Sequence, residues 1–211
     1  MEITWLGHSC FRLRTGDLAI ITDPFPPSLG LPMGEPQAVA VTVSHDHPNH
    51  SHWQAVKGDP RVLRGPGEYE LSGIYITGIM TPAGEGDPER KRNTAYLIEM
   101  ENLKLCHLGD VSSPLSTRQV EELTPLDVLF LPAGGICTVE IPRAVEMVQR
   151  LSPKVVVPMH YSLPGLGTAL SPLDGFLKEM GLKDLEPQPR LNITATSLPA
   201  ELRVVILAPR S

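Results

Sequence analysis

The stretch Ser44-His45-Asp46-His47-Pro48-Asn49-His50-Ser51-His52 holds four of the chain's seven histidines. An even spread over 211 residues would place fewer than one there, so the cluster asks for a chemical cause. It follows directly on Val39-Ala40-Val41-Thr42-Val43, a β-branched run of strand type. Three imidazoles (His45, His47 and His50) gathered at the end of a strand read as metal ligands, because histidine is the commonest metal-binding side chain. His52 lies past the triplet and reads as surface.

Two further strand-like runs end in polar residues of the same chemistry. Leu103-Lys104-Leu105-Cys106 leads into His107-Leu108-Gly109-Asp110, and Lys154-Val155-Val156-Val157 leads into Pro158-Met159-His160-Tyr161. Ligands drawn from distant positions to strand ends are how layered α/β folds build sites. Taken singly, His160 reads equally as a hydrogen-bonded core histidine, and Asp110 as a turn residue. Imidazole with carboxylate suits zinc, manganese or iron, and the pattern lacks the thiolates of a closed structural zinc site. His107, three residues before Asp110, reads as packing or as a partner that orients a ligand.

Outward from these segments, short β-branched runs recur along the chain, including Ala19-Ile20-Ile21-Thr22, Ile74-Tyr75-Ile76-Thr77, Thr94-Ala95-Tyr96-Leu97-Ile98 and Asp127-Val128-Leu129-Phe130-Leu131. Several are apolar at consecutive positions, as in a sheet covered on both faces. Ile3-Thr4-Trp5-Leu6 and Cys10-Phe11-Arg12-Leu13 read as strands flanking a turn at Gly7-His8. Helices are expected later. A capping box at Ser116 and Gln119 opens one, Pro142 stands in the first turn of another, and Ser171 caps a third that Gly181 ends. Early strands followed by strand–helix alternation predict one layered α/β domain over residues 1–211, with two packed sheets. The polar stretch from Thr81 to Asn93 reads as a solvated loop, or as a lid over a site.

Composition narrows the function classes. Twenty-two prolines, 18 glycines and 41% hydrophobic residues exclude a disordered chain or a fibre. The net charge of −6 argues against sequence-independent nucleic-acid binding. No apolar run reaches the roughly 20 residues that cross a bilayer. Met1-Glu2-Ile3-Thr4-Trp5 has neither the basic region nor the apolar stretch of a signal peptide, and Cys10, Cys106 and Cys137 read as three reduced thiols. A cytoplasmic location is expected.

His-x-His-x-Asn-His, then Gly-Asp, then Pro-Met-His resembles the signature of the metallo-β-lactamase superfamily, which begins His-x-His-x-Asp-His. Trp5-Leu6-Gly7-His8-Ser9-Cys10-Phe11, Thr22-Asp23-Pro24, Leu131-Pro132-Ala133-Gly134-Gly135 and Val157-Pro158-Met159-His160-Tyr161 extend the likeness. They are similar to small bacterial and archaeal metal-dependent hydrolases akin to L-ascorbate-6-phosphate lactonase and the phospholipase-D-like members. The resemblance implies a four-layer αββα sandwich of two similar halves. It implies one ion on His45, His47 and Asp110 and a second on His50, Asp110 and His160, with Asp110 bridging, or a single ion. It places His8 and Asp23 beside the ligands.

The chain departs from that pattern twice. Asn49 stands where the family has an aspartate that ligates the second metal and orients the nucleophilic water. No histidine lies between Trp53 and Cys106, Ala83 being the nearest match to the missing one. Glu68 and Glu70 are candidates to compensate. The resemblance therefore implies a metal-dependent hydrolase with Asp110 and Asn49 at the reacting centre. Hydroxide generated at the metal would attack a small-molecule ester, lactone or phosphodiester. The alternative is a non-catalytic relative that keeps the fold and binds a ligand or partner. Homo-oligomerisation is left open.

Overall fold

A computed structural model describes residues 1–81, 92–183 and 185–210. Most of the expected lid, with Ala83, lies outside the described residues. The first sheet holds β1 (Glu2–Gly7), β2 (Cys10–Thr15), β3 (Leu18–Thr22), β4 (Ala40–Val43) and β5 (Arg61–Arg64). The second holds β6 (Gly67–Leu71), β7 (Ile74–Thr81), β8 (Asn93–Met100), β9 (Leu103–His107), β10 (Val128–Pro132) and β11 (Val155–Met159). Two short late strands, β12 (Leu191–Asn192) and β13 (Arg203–Val204), extend the first sheet beside β1 and the second beside β11.

Each sheet begins with antiparallel neighbours and ends with parallel ones: β3–β4–β5 in the first, β9–β10–β11 in the second. Parallel neighbours present their C-terminal ends at the same edge. The loops after β4, β9 and β11 carry the candidate residues. Strand alternation explains the layering. Along the first sheet, Trp5, Phe11, Ile20 and Ala40 pack in the main core with the second sheet. Their neighbours Leu6, Cys10, Ile21 and Val41 join a separate cluster with Phe25, Leu29, Leu31 and Met33. That outer face is covered, among the described residues, by loop and short 3-10 turns. The helices α1 (Thr117–Leu123), α2 (Ile141–Leu151) and α3 (Asp174–Glu179) instead pack with the second sheet in the main core.

The helix starts follow the sequence with one exception. The Ser116–Gln119 capping box is formed, and Ala144, Val148 and Leu151 of α2 are buried. Ser171 does not cap α3, whose N-cap is Leu173 with no side-chain cap. The Ser171 amide donates to Gly134 O and its carbonyl accepts from the Ser162 amide, so its backbone holds two loops together instead. Strands β5 and β6 are additions, too short and too charged to stand out in the sequence. No described helix is long and apolar enough to cross a membrane.

Contacts between the sheets lock the strand ends in register. The Trp5 indole N–H donates to His8 O at 3.0 Å, and the His160 amide donates to the same carbonyl at 3.1 Å. Tyr96 Oη lies 3.1 Å from both Val43 O and Leu63 O, and the Thr94 amide donates to Ser44 O at 2.8 Å. Trp5, Phe11, Tyr96 and Phe130 are fully buried here. Truncating an aromatic in such a position costs about 3–5 kcal/mol.

Candidate metal centre

Asp23, at the end of β3, organises the histidine loop. It is fully buried, with a left-handed backbone (φ 37°). Its Oδ1 accepts from the Ser44 amide at 2.7 Å, and its Oδ2 accepts from the Ser44 hydroxyl at 2.5 Å and from His50 Nδ1 at 3.0 Å. Ser44 has one hydroxyl proton and gives it to Asp23. Its Oγ therefore accepts from His45 Nδ1, 3.0 Å away. The network puts a proton on Nδ1 of both His45 and His50 and turns each Nε2 toward Asp110. His47 Nδ1 accepts from the Asn49 amide at 3.2 Å, which puts the proton of its neutral ring on Nε2, the opposite tautomer to His45. Orienting a ligating imidazole through its other nitrogen is the usual architecture around bound metals.

Asp110 reaches the same point from the second sheet. Gly109 before it has φ 57°, and a side chain there would collide with Asn93 Oδ1 and with Ser44. Asn93 Oδ1 accepts from the Asp110 amide at 2.9 Å, while its Nδ2 donates to Thr81 Oγ1 and Leu108 O. So held, Asp110 places Oδ2 at 3.3 Å from His50 Nε2 and 3.7 Å from His45 Nε2, and Oδ1 at 3.3 Å from His160 Nε2. His160 and His8 both have left-handed backbones with φ 53°. Non-glycine residues held in that region cluster at functional sites. The His8 ring packs 4.3 Å from that of His160 and 4.7 Å from that of His50.

Donor atoms of three sets lie within 4.8 Å of one another: His45, His47 and His50; His8, His50 and His160; Asp110, Cys137 and His160. His8, expected beside the ligands, is thus brought in among the donors, and its Nδ1 has no hydrogen-bond partner. Sequence reasoning missed Cys137, Asn93 and Ser44. Cys137 follows β10, which lies between β9 and β11. Strand order, had it been known, was the signal that its loop lands between Asp110 and His160.

Other candidates stand apart. His107 Nε2 donates to Ser9 O at 2.8 Å and its Nδ1 accepts from the Gly109 amide, so both nitrogens are committed to backbone. Glu68 and Glu70 are exposed on β6 and belong to none of the donor sets. Glu68 lines a groove of about 830 Å³ with Met80 and Gln119, away from the histidines, and Glu70 accepts from the Gly73 amide. They stand outside the cluster because β6 ends the second sheet, opposite β13. Asn49 is half-buried on the histidine loop, and His52, also half-buried, donates its amide to Pro24 O.

Electrostatics sorts the imidazoles. Burial opposes charge on His50, yet Asp110 and Asp23, one on each nitrogen, outweigh it and push its pKa up to about 10. Burial and then the His50 charge bring His45 down to about 4. Burial foremost also lowers His8 and His160. Burial pushes Asp110 up, but His160 and His50 more than reverse it and hold the carboxylate well below its ordinary range. Burial opposes the Asp23 charge too, and the His50 hydrogen bond leads the effects that lower it. The outcome is one imidazolium between two carboxylates, ringed by neutral imidazoles.

Such a cluster fits a cation. Of eight buried side-chain polar atoms without hydrogen-bond partners among the described residues, four are here: His8 Nδ1, His45 Nε2, Asp110 Oδ1 and His160 Nδ1. Each orphan costs about 1–3 kcal/mol, and a divalent ion binding several of these donors would offset that cost.

Comparison with known proteins agrees with this geometry. The chain is 30% identical to a UPF0173 protein of Pyrococcus abyssi, over 89% of this chain and 97% of that one. It is 32% identical to a UPF0173 metal-dependent hydrolase of Methanoculleus marisnigri, over 76% and 81%. The crystal structure of a metallo-beta-lactamase superfamily protein from Thermotoga maritima superposes with a TM-score of 0.80 at 36% identity. It covers 98% of this chain and 97% of that one. The family described as the Beta-lactamase superfamily domain matches residues 2–160, from β1 through the histidine loop and Asp110 to His160. The chain belongs to the beta-lactamase superfamily, with the metallo-β-lactamase fold.

Proposed function

We propose that residues 1–211 form one metal-dependent hydrolase domain acting on a small ester, lactone or phosphodiester. The observation that carries this reading is the convergence of His45, His50 and His160 on Asp110, with His47 grouped beside His45 and His50 and four buried donor atoms left unpaired. Zinc suits the donors best, with manganese or iron as alternatives, in one or two ions. His45, His47 and His50 would hold one ion with Asp110, and His160 with Asp110 the other. A bound dication supplies Lewis acidity, which acidifies water and polarises a carbonyl or phosphoryl group.

The chain's own residues do the rest. Asp23 and Ser44 keep Nε2 of His45 and His50 turned inward. Asp110 Oδ1, ionised and without a hydrogen bond, offers a negatively charged oxygen to an ion. His107 ties the two halves together by its hydrogen bond to Ser9 O. Asn49 offers a donor and an acceptor but no charge. A net charge of −6 speaks for a small substrate rather than nucleic acid, and self-association is compatible with the reading.

Elemental analysis of protein purified without chelator should find at least one transition metal per chain. A panel of lactones and phosphodiesters should include a substrate whose turnover stops on chelation and returns with zinc. Finding no stoichiometric metal would sink the proposal. Asn49, in place of an acid, favours a second reading, a binder that has lost catalysis. Activity appearing only after Asn49→Asp with Ala83→His would decide for it.

A further inference from the structure

Cys137 is a donor near Asp110 and His160 that the histidine–aspartate pattern leaves unused. It lies on the loop between β10 and α2, and that loop is pinned on both sides. The Ala133 amide donates to Met159 O at 2.8 Å, and Gly134 lies so close to His160 O that any side chain there would collide. Further along, the Val139 amide donates to Val111 O at 2.7 Å. One end is thus fastened beside His160 and the other beside Asp110, with Cys137 between them.

The sulfur, an Asp110 oxygen and a His160 nitrogen come within 4.8 Å of one another. Asp110 and His160 are 6% and 2% exposed, and Asp110 Oδ1 and His160 Nδ1 have no hydrogen-bond partner. Cys10 and Cys106 are fully buried, whereas Cys137 is half-buried. The charge balance points the same way. Asn49 removes one anionic group from the loop, which leaves Asp110 the sole carboxylate in these donor sets. A thiolate would supply a second negative donor.

We propose that Cys137, as a thiolate, joins Asp110 and His160 as the third protein ligand of one metal position. The proton of the thiol leaves to solvent when the ion binds. A soft sulfur donor beside imidazole and carboxylate selects zinc, cobalt or cadmium over manganese or magnesium. This assignment rests on the metal reading above, and its test separates the two.

The full chain is stripped of metal and titrated with cobalt(II). Wild type should show visible ligand-field bands together with a near-ultraviolet thiolate-to-cobalt charge-transfer band. Cys137→Ser should keep the ligand-field bands and lose the charge-transfer band. In parallel, two equivalents of zinc should slow alkylation of wild-type Cys137 by iodoacetamide at least about tenfold, since the free thiolate is the nucleophile. This second measurement needs no variant and decides the matter should Cys137→Ser fold poorly. Ligand-field bands without charge transfer in wild type, or a band that survives in Cys137→Ser, would overturn the thiolate assignment and leave the hydrolase reading standing. Failure of wild type to bind cobalt or zinc would overturn both.

Discussion

Between His45 and His50, three imidazoles arrive on one loop within six residues, and Ser44 and Asp23 set two of their tautomers at close range. Asp110 and His160 arrive singly, from the ends of β9 and β11, and each depends on a remote support. For Asp110 that support is Asn93, at the start of β8; for His160 it is the His8 carbonyl, at the end of β1. The first region is supported from within its own sheet, by Asp23 at the end of the neighbouring β3, whereas the second draws one of its supports, His8, from the opposite sheet. Damage to the histidine loop should therefore act mainly on metal affinity. Damage around Asp110 and His160 should act on affinity and on the joining of the sheets.

The severest break in this contrast is Asp110→Asn. Removing one member of a buried charge cluster costs about 3–5 kcal/mol. Zinc affinity, measured by chelator competition, should fall at least about 10²-fold, since each 1.4 kcal/mol is tenfold. Retention of wild-type affinity would show that Asp110 does not hold the ion.

Asp23→Asn probes the self-contained side. It leaves the shape in place but removes the charge that fixes His50 and Ser44. A partner of this kind is worth about 10–100-fold in metal affinity. A loss of that size, with an unfolding temperature close to wild type in the zinc-loaded protein, is expected.

His107→Phe probes the borrowed side. It strands Ser9 O and the Gly109 amide, at about 1–3 kcal/mol. Denaturant unfolding should register that loss while metal stoichiometry stays unchanged. A variant that lost metal instead would return His107 to the ligand neighbourhood.

Acidification should separate the imidazoles of the chelator-treated protein. His45, His8, His107 and His160 have folded pKa values below the unfolded value of about 6.5. The unfolded chain therefore takes up protons first as pH falls. Stability present above about 6.5 is lost progressively toward about 4, where His45 titrates. His50 has the opposite sign: its contribution is complete below about 6.5 and is lost as pH rises through about 10. Unfolding temperatures measured across pH should fall on both sides of neutrality. A flat acid limb would contradict the burial of neutral imidazoles.

The smallest effect belongs to Glu68→Gln with Glu70→Gln. Both carboxylates are exposed on β6, so metal content should be unaltered and stability should move by no more than about 0.5 kcal/mol per substitution.

Legibility followed the same division. The β-branched runs, the Ser116–Gln119 capping box and the histidine triplet are local patterns, and each was readable because its partners lie within a few residues. Asn93 was opaque, since its value lies in hydrogen bonds to Asp110 and Leu108, 17 and 15 residues away, and in its packing beside Gly109. Ser171 looked like a helix cap because Pro172 follows it. Its backbone was instead claimed by Gly134 and Ser162, contacts that no local pattern records. Glu68 and Glu70 looked available because they are acidic and unassigned, and the strand order removed them.

From sequence alone came the layered α/β class and the candidacy of His45, His47, His50, Asp110 and His160 as metal ligands. All of these depend on residue type and short-range spacing. Tertiary structure alone decided that His8 stands among the donors, that His107 is spent on backbone, and that Cys137 faces Asp110 and His160. Those outcomes depend on which strand ends share an edge. Strand order is set by the packing of two whole sheets, and no short segment encodes it.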